Sequence, residues 1–406
     1  MSDHRTQAEV LLTYGWVRSS YAALCNLHAH GVRVAVADHH RFGMCQFSRY
    51  ETGFFRTVSP FAQPDEFVAR IRQILLQTGA RVLIPSHDET GLLARHRDGL
   101  PAGTILPVAG YKLLANANDK AFVQAYAESV GIPTPRLVPW KDLDDLALVL
   151  DGWDWRTKLA IRLRRSNSAK GVRYAGSASE AIRQVRELIS QYDLCPERNP
   201  IVQECVEGEG WGVSCLYWEG DLMASFTHRR LREKIESGGT STLREHQPNP
   251  VIEEMAHKLL SSLGWHGLAM VEFKYSPTTK QGWLIEINPR LWGSLHLAIS
   301  AGVEFPHLLY LAATEGPNAA REYQSRVEVK YPWRARWYLG DCIAAVGKLK
   351  RGKLIQTARL LLPGGTDTYD DLNWSDPGAF IGEAFHYAHQ LLAQRSMNPA
   401  EEGTLG

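Results

Sequence analysis

Several things are scarce in this 406-residue chain, and each scarcity excludes a class of function. Its six cysteines (Cys25, Cys45, Cys195, Cys205, Cys215, Cys342) form no C-x-x-C pair and no dense framework. That excludes a zinc-ribbon or disulfide-stapled scaffold and predicts reduced, buried thiols. Cys205 and Cys215 are spaced to lie close on neighbouring strands, but a disulfide there is not expected in a cytoplasmic protein. No run of about 20 apolar residues occurs, and the polar start leads only to the short Val10-Leu-Leu12. Neither a spanning helix nor a secretory leader is therefore predicted, and the expected location is the cytoplasm. The formal charge of +1 gives no global attraction to nucleic acid or to an anionic membrane, so neither is expected as a partner. No G-x-G-x-x-G follows the first strand and no G-x-x-x-x-G-K-[ST] occurs, which excludes dinucleotide and P-loop sites. Internal repeats and low-complexity segments are also missing.

What is present is an ordinary globular composition, 44% apolar and 22% charged, long enough for two or three domains. Within it, Val271 to Arg290 stands out as two strands joined by a polar turn. Alternation places Glu286, Asn288 and Arg290 on one face, with Ile285, Ile287 and Pro289 on the other, and Glu272 on the partner strand reaches the polar face. Two carboxylates, an amide oxygen and a guanidinium suit Mg²⁺ with a phosphate clamp beside it. The plainer reading is an amphipathic hairpin with a solvated face. Against it stand the asparagine, a poor strand former, and the exit through Pro289 into a Gly-containing turn.

The first 115 residues alternate strand and helix: strands at 9–14, 32–38 and 81–85, helices at 20–28 and 66–78. This order predicts a doubly wound parallel sheet, with ligands at the carboxyl ends of its strands. Those ends carry Tyr14, Asp38-His39-His40 and His87-Asp88-Glu89. His39, His40, His28 and His30 lack metal-ligand partners at suitable spacing and are read as exposed loop residues. Asn118-Asp119 caps a helix that ends at Gly131, followed by Ile-Pro-Thr-Pro135. Lys120 in its first turn opposes the helix dipole, a cost that a phosphate ligand would explain, although a surface lysine is equally compatible. Lys158 to Arg165, Ser166 to Gly171 and Val172 onward form a basic hairpin able to fold over phosphates. Strands follow at 200–208, 212–218 and 222–230, then a flexible loop at 237–242 and a helix at 250–263. After residue 306 helices dominate, and Lys348 to Lys353 is read as a solvated helix end.

Taken together, Asn118-Asp119-Lys120 with Gly131-Ile-Pro-Thr-Pro135, the 158–173 hairpin, Gln203-Glu-Cys-Val-Glu-Gly208, and Glu272 with Glu286-Ile-Asn-Pro-Arg290 resemble the ATP-grasp superfamily, specifically its carboxylate–amine ligases. The resemblance covers roughly residues 9 to 310. It implies an N-terminal α/β domain (1–115), an ATP-grasp domain of two α+β subdomains clamping ATP (116–198 and 199–310), and a C-terminal mainly helical element (311–406). It further implies that Glu272, Glu286 and Asn288 bind two Mg²⁺ ions, with Mn²⁺ as an alternative, and that Arg290 contacts the transferred phosphate. Lys120, Arg162 and Lys170 would reach the ATP phosphates, Glu204 and Val206 the adenine, and Glu209 the ribose. The family's second lysine, followed by proline, is here Arg162-Leu163, which leaves Lys158 and Lys170 as alternatives.

The activity implied is activation of a small-molecule carboxylate as an acyl phosphate, followed by attack of an amine. The 166–171 and 237–242 loops are expected to act as lids. His87, Asp88, Glu89, Arg229, Arg230, Trp292 and Ser294 are candidate substrate contacts, each with a purely structural alternative. A small-molecule kinase on the same scaffold and a non-catalytic nucleotide-binding protein are the competing readings, and a homodimer is left open. A biotin-linked carboxylase is disfavoured because no biotin-linked segment is visible.

Overall fold

The alternation at the N-terminus folds into a parallel sheet of β1 (Val10–Thr13), β2 (Val34–Asp38), β3 (Gly53–Arg56) and β4 (Val82–Ile84), in the order β3-β2-β1-β4. The structure is a computed structural model that describes residues 7–166, 171–234 and 239–394. Consecutive residues of β1 feed opposite cores. Leu11 joins Phe67, Ile71 and Ile74 on one side, while Val10 and Leu12 join Leu24 and Leu27 on the other. Covering both faces is what turns a run of aliphatic residues into a doubly wound layer. The edge strand β3 was not foreseen, because Gly-Phe-Phe-Arg is half-exposed and carries no alternating pattern.

A second sheet collects β5 (Leu137–Val138), β6 (Leu159–Arg162), β7 (Arg173–Ala175) and β8 (Ile201–Glu204), ordered β5-β8-β6-β7. The helices Leu143–Asp151 and Ala178–Tyr192 close its core through Leu146, Leu150, Val185 and Leu188.

The third sheet runs β13-β12-β9-β10-β11-β14-β15. Its strands are β9 (Glu209–Trp218), β10 (Asp221–Glu233), β11 (Ser241–His246), β12 (Gly267–Ser276), β13 (Gln281–Asn288), β14 (Trp333–Arg336) and β15 (Thr368–Tyr369). Each sheet is thus drawn from one continuous stretch of chain. The helix Pro250–Ser262 packs on one face of the third sheet with Trp265. The helices Leu295–Ala301 and Phe305–Thr314 pack on the other. Helices dominate after residue 306, as expected, and this part of the chain also extends the sheet through β14 and β15.

Two expectations are corrected. Ser241 and Thr242, read as loop, already belong to β11, and residues 237 and 238 of that loop lie outside the described residues. Cys215 stands opposite Ser225 and Ala269 rather than Cys205, and all six cysteines are free. Among the described residues no single helix is long and apolar enough to cross a membrane.

Candidate active site

The site is assembled on the edge of the large sheet, where the pairing of β12 with β13 sets Glu272 directly opposite Glu286. The register then slips: Phe273 pairs with Leu284, leaving Ile285 as an extra residue. This bulge corrects the simple alternation. It lets Leu284 and Ile287, three residues apart, both enter the core while Glu286 and Asn288 stay on the polar face. The backbone carbonyl of the extra residue accepts a hydrogen bond from Arg162 Nη1 at 3.1 Å, so the irregularity also fixes a cation.

The helix Lys120–Ser129 supplies the next group. Asp119 caps it by accepting from the amides of Ala121 and Phe122, and it is itself paired with Arg164 at 2.5 Å. The run after Gly131 ties this helix to the sheet, since the Pro133 carbonyl accepts from Leu284 N at 2.9 Å. Lys120 is therefore not a surface lysine: its side chain is only 6% exposed. Its Nζ donates to the Ser166 carbonyl at 2.8 Å and lies 3.4 Å from Glu286 Oε2.

Four cations surround two carboxylates. Glu286 Oε2 lies 2.6 Å from Arg162 Nη2. Glu272 Oε1 lies 2.6 Å from Arg230 Nη2 and accepts from Asn288 Nδ2 at 3.0 Å. Arg290 Nε donates to Asp88 Oδ1 at 3.0 Å. The two glutamates titrate in opposite directions. Burial pushes Glu286 up, but Lys120, Arg162, Arg230 and Arg290 outweigh it and hold the carboxyl at about 2. Glu272 is raised, by burial first and by the neighbouring Glu286, against the pull of Arg230. Burial lowers Lys120, with Glu286 opposing.

This donor set fits a hard divalent cation. Two carboxylates face one another from adjacent strands, and the Asn288 amide oxygen is a third ligand of the same kind. Lys120, Arg162, Arg230 and Arg290 gather here, each on a carboxylate that a polyphosphate could replace as partner. A narrow cleft runs from Asp88 and Arg290 past Glu286 and Asn288 to Lys120 and Ser166.

The remaining candidates divide. Arg162 touches Glu286, whereas Lys158 is exposed at the foot of β6, its carbonyl accepting from Cys205 N at 2.8 Å. Lys170 lies outside the described residues. Around the end of β8, Glu204 Oε1 accepts from Arg136 N at 3.1 Å, Val206 is half-buried, and Glu209 is exposed at the start of β9. Arg230 and Arg229, adjacent on β10, separate: Arg230 enters the site and Arg229 pairs with Glu245 at 3.0 Å on the opposite face. Asp88 belongs to the site through Arg290. Glu89 is instead buried in the sheet end, accepting from Thr13 Oγ1 at 2.6 Å and Ser86 N at 2.9 Å, a structural role. Trp292 is core, edge-on to Phe305 at 5.2 Å, and Ser294 is buried against His228 at 3.1 Å.

The histidine reading is overturned for His39, His40 and His30, whereas His28 is exposed as expected but sits on the helix Arg18–Ala29 and not on a loop. His39 and His40 are 12% and 11% exposed and lie 3.6 and 2.9 Å from the buried Asp38 carboxylate. Tyr14, with φ of 58°, stacks on His87 at 4.5 Å. His30 pairs with Glu304 at 2.9 Å and stacks on His307, and His28 stacks on Tyr50. Sequence reasoning placed these rings on loops because the segments that meet them, such as His386 and Glu304, lie hundreds of residues away.

Comparisons with known proteins bear on the fold that carries this site. Residues 197–338 match the family model described as ATP-grasp in the biosynthetic pathway with Ter operon. A carbamoyl-phosphate synthase of Methanobrevibacter smithii is 21% identical over 254 residues, 59% of this chain and 64% of that protein. The chain therefore spans less than two thirds of that relative's length. Among solved structures, a biotin carboxylase–ATP complex from Campylobacter jejuni superposes with a TM-score of 0.62 at 10% identity, covering 81% of this chain and 75% of that one. An L-amino acid ligase from Bacillus licheniformis gives 0.59 at 14% identity, covering 76% and 74%.

Proposed function

We propose that this chain is an ATP-dependent carboxylate–amine ligase of the ATP-grasp kind that releases ADP and phosphate. The observation that carries the reading is the opposed pair Glu272 and Glu286, joined by Asn288 and ringed by Lys120, Arg162, Arg230 and Arg290. A carboxylate is a poor acyl donor because its leaving group would be oxide, and phosphorylation converts that oxygen into a good one. In-line transfer of the γ-phosphoryl needs its charge neutralised and its atoms aligned.

Glu272, Glu286 and the Asn288 oxygen would hold two divalent ions, Mg²⁺ by the hardness of the set, which supply charge neutralisation at the phosphate oxygens. Lys120 and Arg162, already anchored on Glu286, would grip the phosphate chain. Arg290, oriented by Asp88, stands at the far end of the same cleft, where it would steady the transferred phosphoryl and then the acyl phosphate. The base would lie at Glu204 and Val206, with Glu209 beside the ribose. The domain limits near residues 115, 198 and 310 are proposed on the same division of labour. The biotin carboxylase and L-amino acid ligase superpositions support the scaffold assignment and leave the substrates to be found.

The test is a matrix of carboxylic acids and amines scored for ADP release, with mass detection of the coupled product. ADP formation that requires both an acid and an amine supports the ligase. Release with an alcohol alone, yielding a phosphate ester, overturns it in favour of a kinase.

A further inference from the structure

Beyond the turn that follows Arg290, the structure contains a second constellation that the phosphate chemistry does not use. The C-terminal helix Pro377–Gln394 is laid over the end of β1, and glycines set its approach. A Cβ at Gly378 or Gly382 would collide with the carbonyl oxygens of Phe47 or Gly43, so backbone meets backbone there. The close approach brings His386 flat onto Trp16, with ring centroids 4.0 Å apart. Tyr387 stands 6.4 Å from Trp16 and 6.1 Å from Trp337, and the four aromatic rings of Tyr14, Trp16, Trp337 and Tyr387 form one buried cluster.

Polar atoms at this cluster are unmatched. Glu383 Oε1 accepts from Trp337 Nε1 at 3.1 Å, but Glu383 Oε2 and Trp16 Nε1 are buried with no hydrogen-bond partner. Lys234 Nζ lies 5.8 Å over Trp337 and 6.0 Å over Tyr387. Among the described residues that ammonium makes no hydrogen bond and no ion pair, and it faces these two rings. Burial, then the nearby Arg18, lowers it to about 8. Two buried acids of the same region are held elsewhere: Asp370 pairs with Arg18 and Arg244, and Asp371 accepts from the amides of Tyr338 and Leu339. Arg18 stacks 3.8 Å over Trp337. Its Nη2 would lie 3.5 Å from a Cβ on Gly293, three residues after Arg290, so this box adjoins the phosphate cleft.

We infer that this aromatic box is the acceptor site of the ligase and takes an α-amino acid: its carboxylate on Lys234, its apolar or aromatic side chain on Trp337 and Tyr387, and its amino group toward Glu383 and the Arg290 turn. An ammonium over ring faces is a good partner for a ligand carboxylate, because it is desolvated without being neutralised. Pinning the carboxylate at Lys234 directs the amine toward the acyl phosphate. The nitrogen forms the C–N bond as the acyl C–O bond breaks, and the departing phosphate takes the electron pair and the amine's proton. The inference rests on the ligase reading proposed above.

The test uses the full-length protein, the proteinogenic amino acids and their carboxamides. Lys234→Met should raise KM for the preferred amino acid at least about tenfold, a change expected when a charge partner of a bound carboxylate is removed, while KM for ATP stays put. Lys234→Arg should restore most of the loss, and the carboxamide should bind wild type as weakly as the acid binds Lys234→Met. Calorimetric titration of amino acids without ATP separates the two claims. If an amino acid supports ADP formation but Lys234→Met leaves its KM unchanged, the box assignment fails and the ligase stands. If an amino acid binds in a Lys234-dependent way but no acid–amine pair releases ADP, the ligase fails and the box stands. No binding and no amino-acid-dependent turnover removes both.

Discussion

The β12–β13 corner and the aromatic box meet at the turn after Arg290, yet they are built by opposite rules. In the corner, Glu286 is held by Lys120 and Arg162, Glu272 by Arg230, and Asp88 by Arg290. In the box, Glu383 Oε2 and Trp16 Nε1 lack hydrogen-bond partners among the described residues, and Lys234 faces two aromatic rings. A corner of matched charges is preorganised for a ligand that exchanges one ion pair for another, as a metal-bound polyphosphate does. A box with unmatched polar atoms discriminates, because a ligand lacking the right group leaves them buried and unsatisfied. On the proposed function, the difference would make energy supply and substrate choice separable, the first in the corner and the second in the box.

The sharpest way to break the comparison is Glu286→Gln. It keeps the shape and removes the charge that both Lys120 and Arg162 share, so ATP turnover should fall by about 10³-fold, as for loss of a principal electrostatic group. Circular dichroism should be unchanged, and normal Mg-ATP turnover would sink the metal assignment. Arg230→Met is next. It strands Glu272 in a buried setting without its cation, which should cost on the order of 3 kcal/mol in urea unfolding. An unchanged midpoint would mean that the corner's charges are not mutually dependent.

Legibility in the sequence followed the same division. The corner could be read because Glu286 and Asn288 lie two apart on one strand, Arg290 two further on at its exit and Glu272 on the hairpin partner, so local alternation places them together. Asp119 announced its cap, and Gly131 its helix stop, by the same local rules. What local alternation could not show was the bulge at Ile285, since a slip of register leaves no mark on residue type. Arg229 and Arg230 could be separated only by knowing which face of β10 looks at the site. The box was illegible because Trp16, Lys234, Trp337 and Glu383 come from four segments up to 367 residues apart, and only packing unites them. His39 and His40 were misread for that reason: His386, which covers His40 at 5.2 Å, belongs to the last helix.

A milder change tests whether that last helix belongs to the box. Gly382→Val forces a side chain against the Gly43 carbonyl, and overpacking of this kind should cost about 2 kcal/mol and pull His386 off Trp16. The corner lies outside this contact, so the variant should lose amino-acid affinity, read by calorimetry, before it loses ATP binding. Equal loss of both would erase the distinction between the two regions.

The smallest effect concerns pH and the face that both regions share. His228 is 1% exposed beneath Ser294, and burial, then Arg230 and Arg244, push it well below its ordinary 6.5. Folded protein therefore keeps this imidazole neutral, while the unfolded chain takes up a proton as pH falls through 6.5. The unfolded state binds more protons in that range, so stability must rise with pH and fall on acidification. Between pH 6.5 and 5.5 this one group should remove about 1 kcal/mol. His228→Gln, which can still accept from Ser294, should flatten the pH dependence of the urea midpoint by that amount. Glu286, held at about 2, contributes nothing in that window, because its stabilisation is lost only as pH drops from about 4.5 toward 2. A slope unchanged in His228→Gln, with the loss appearing only below pH 4.5, would place the acid sensitivity in the carboxylate corner instead of the histidine beneath it.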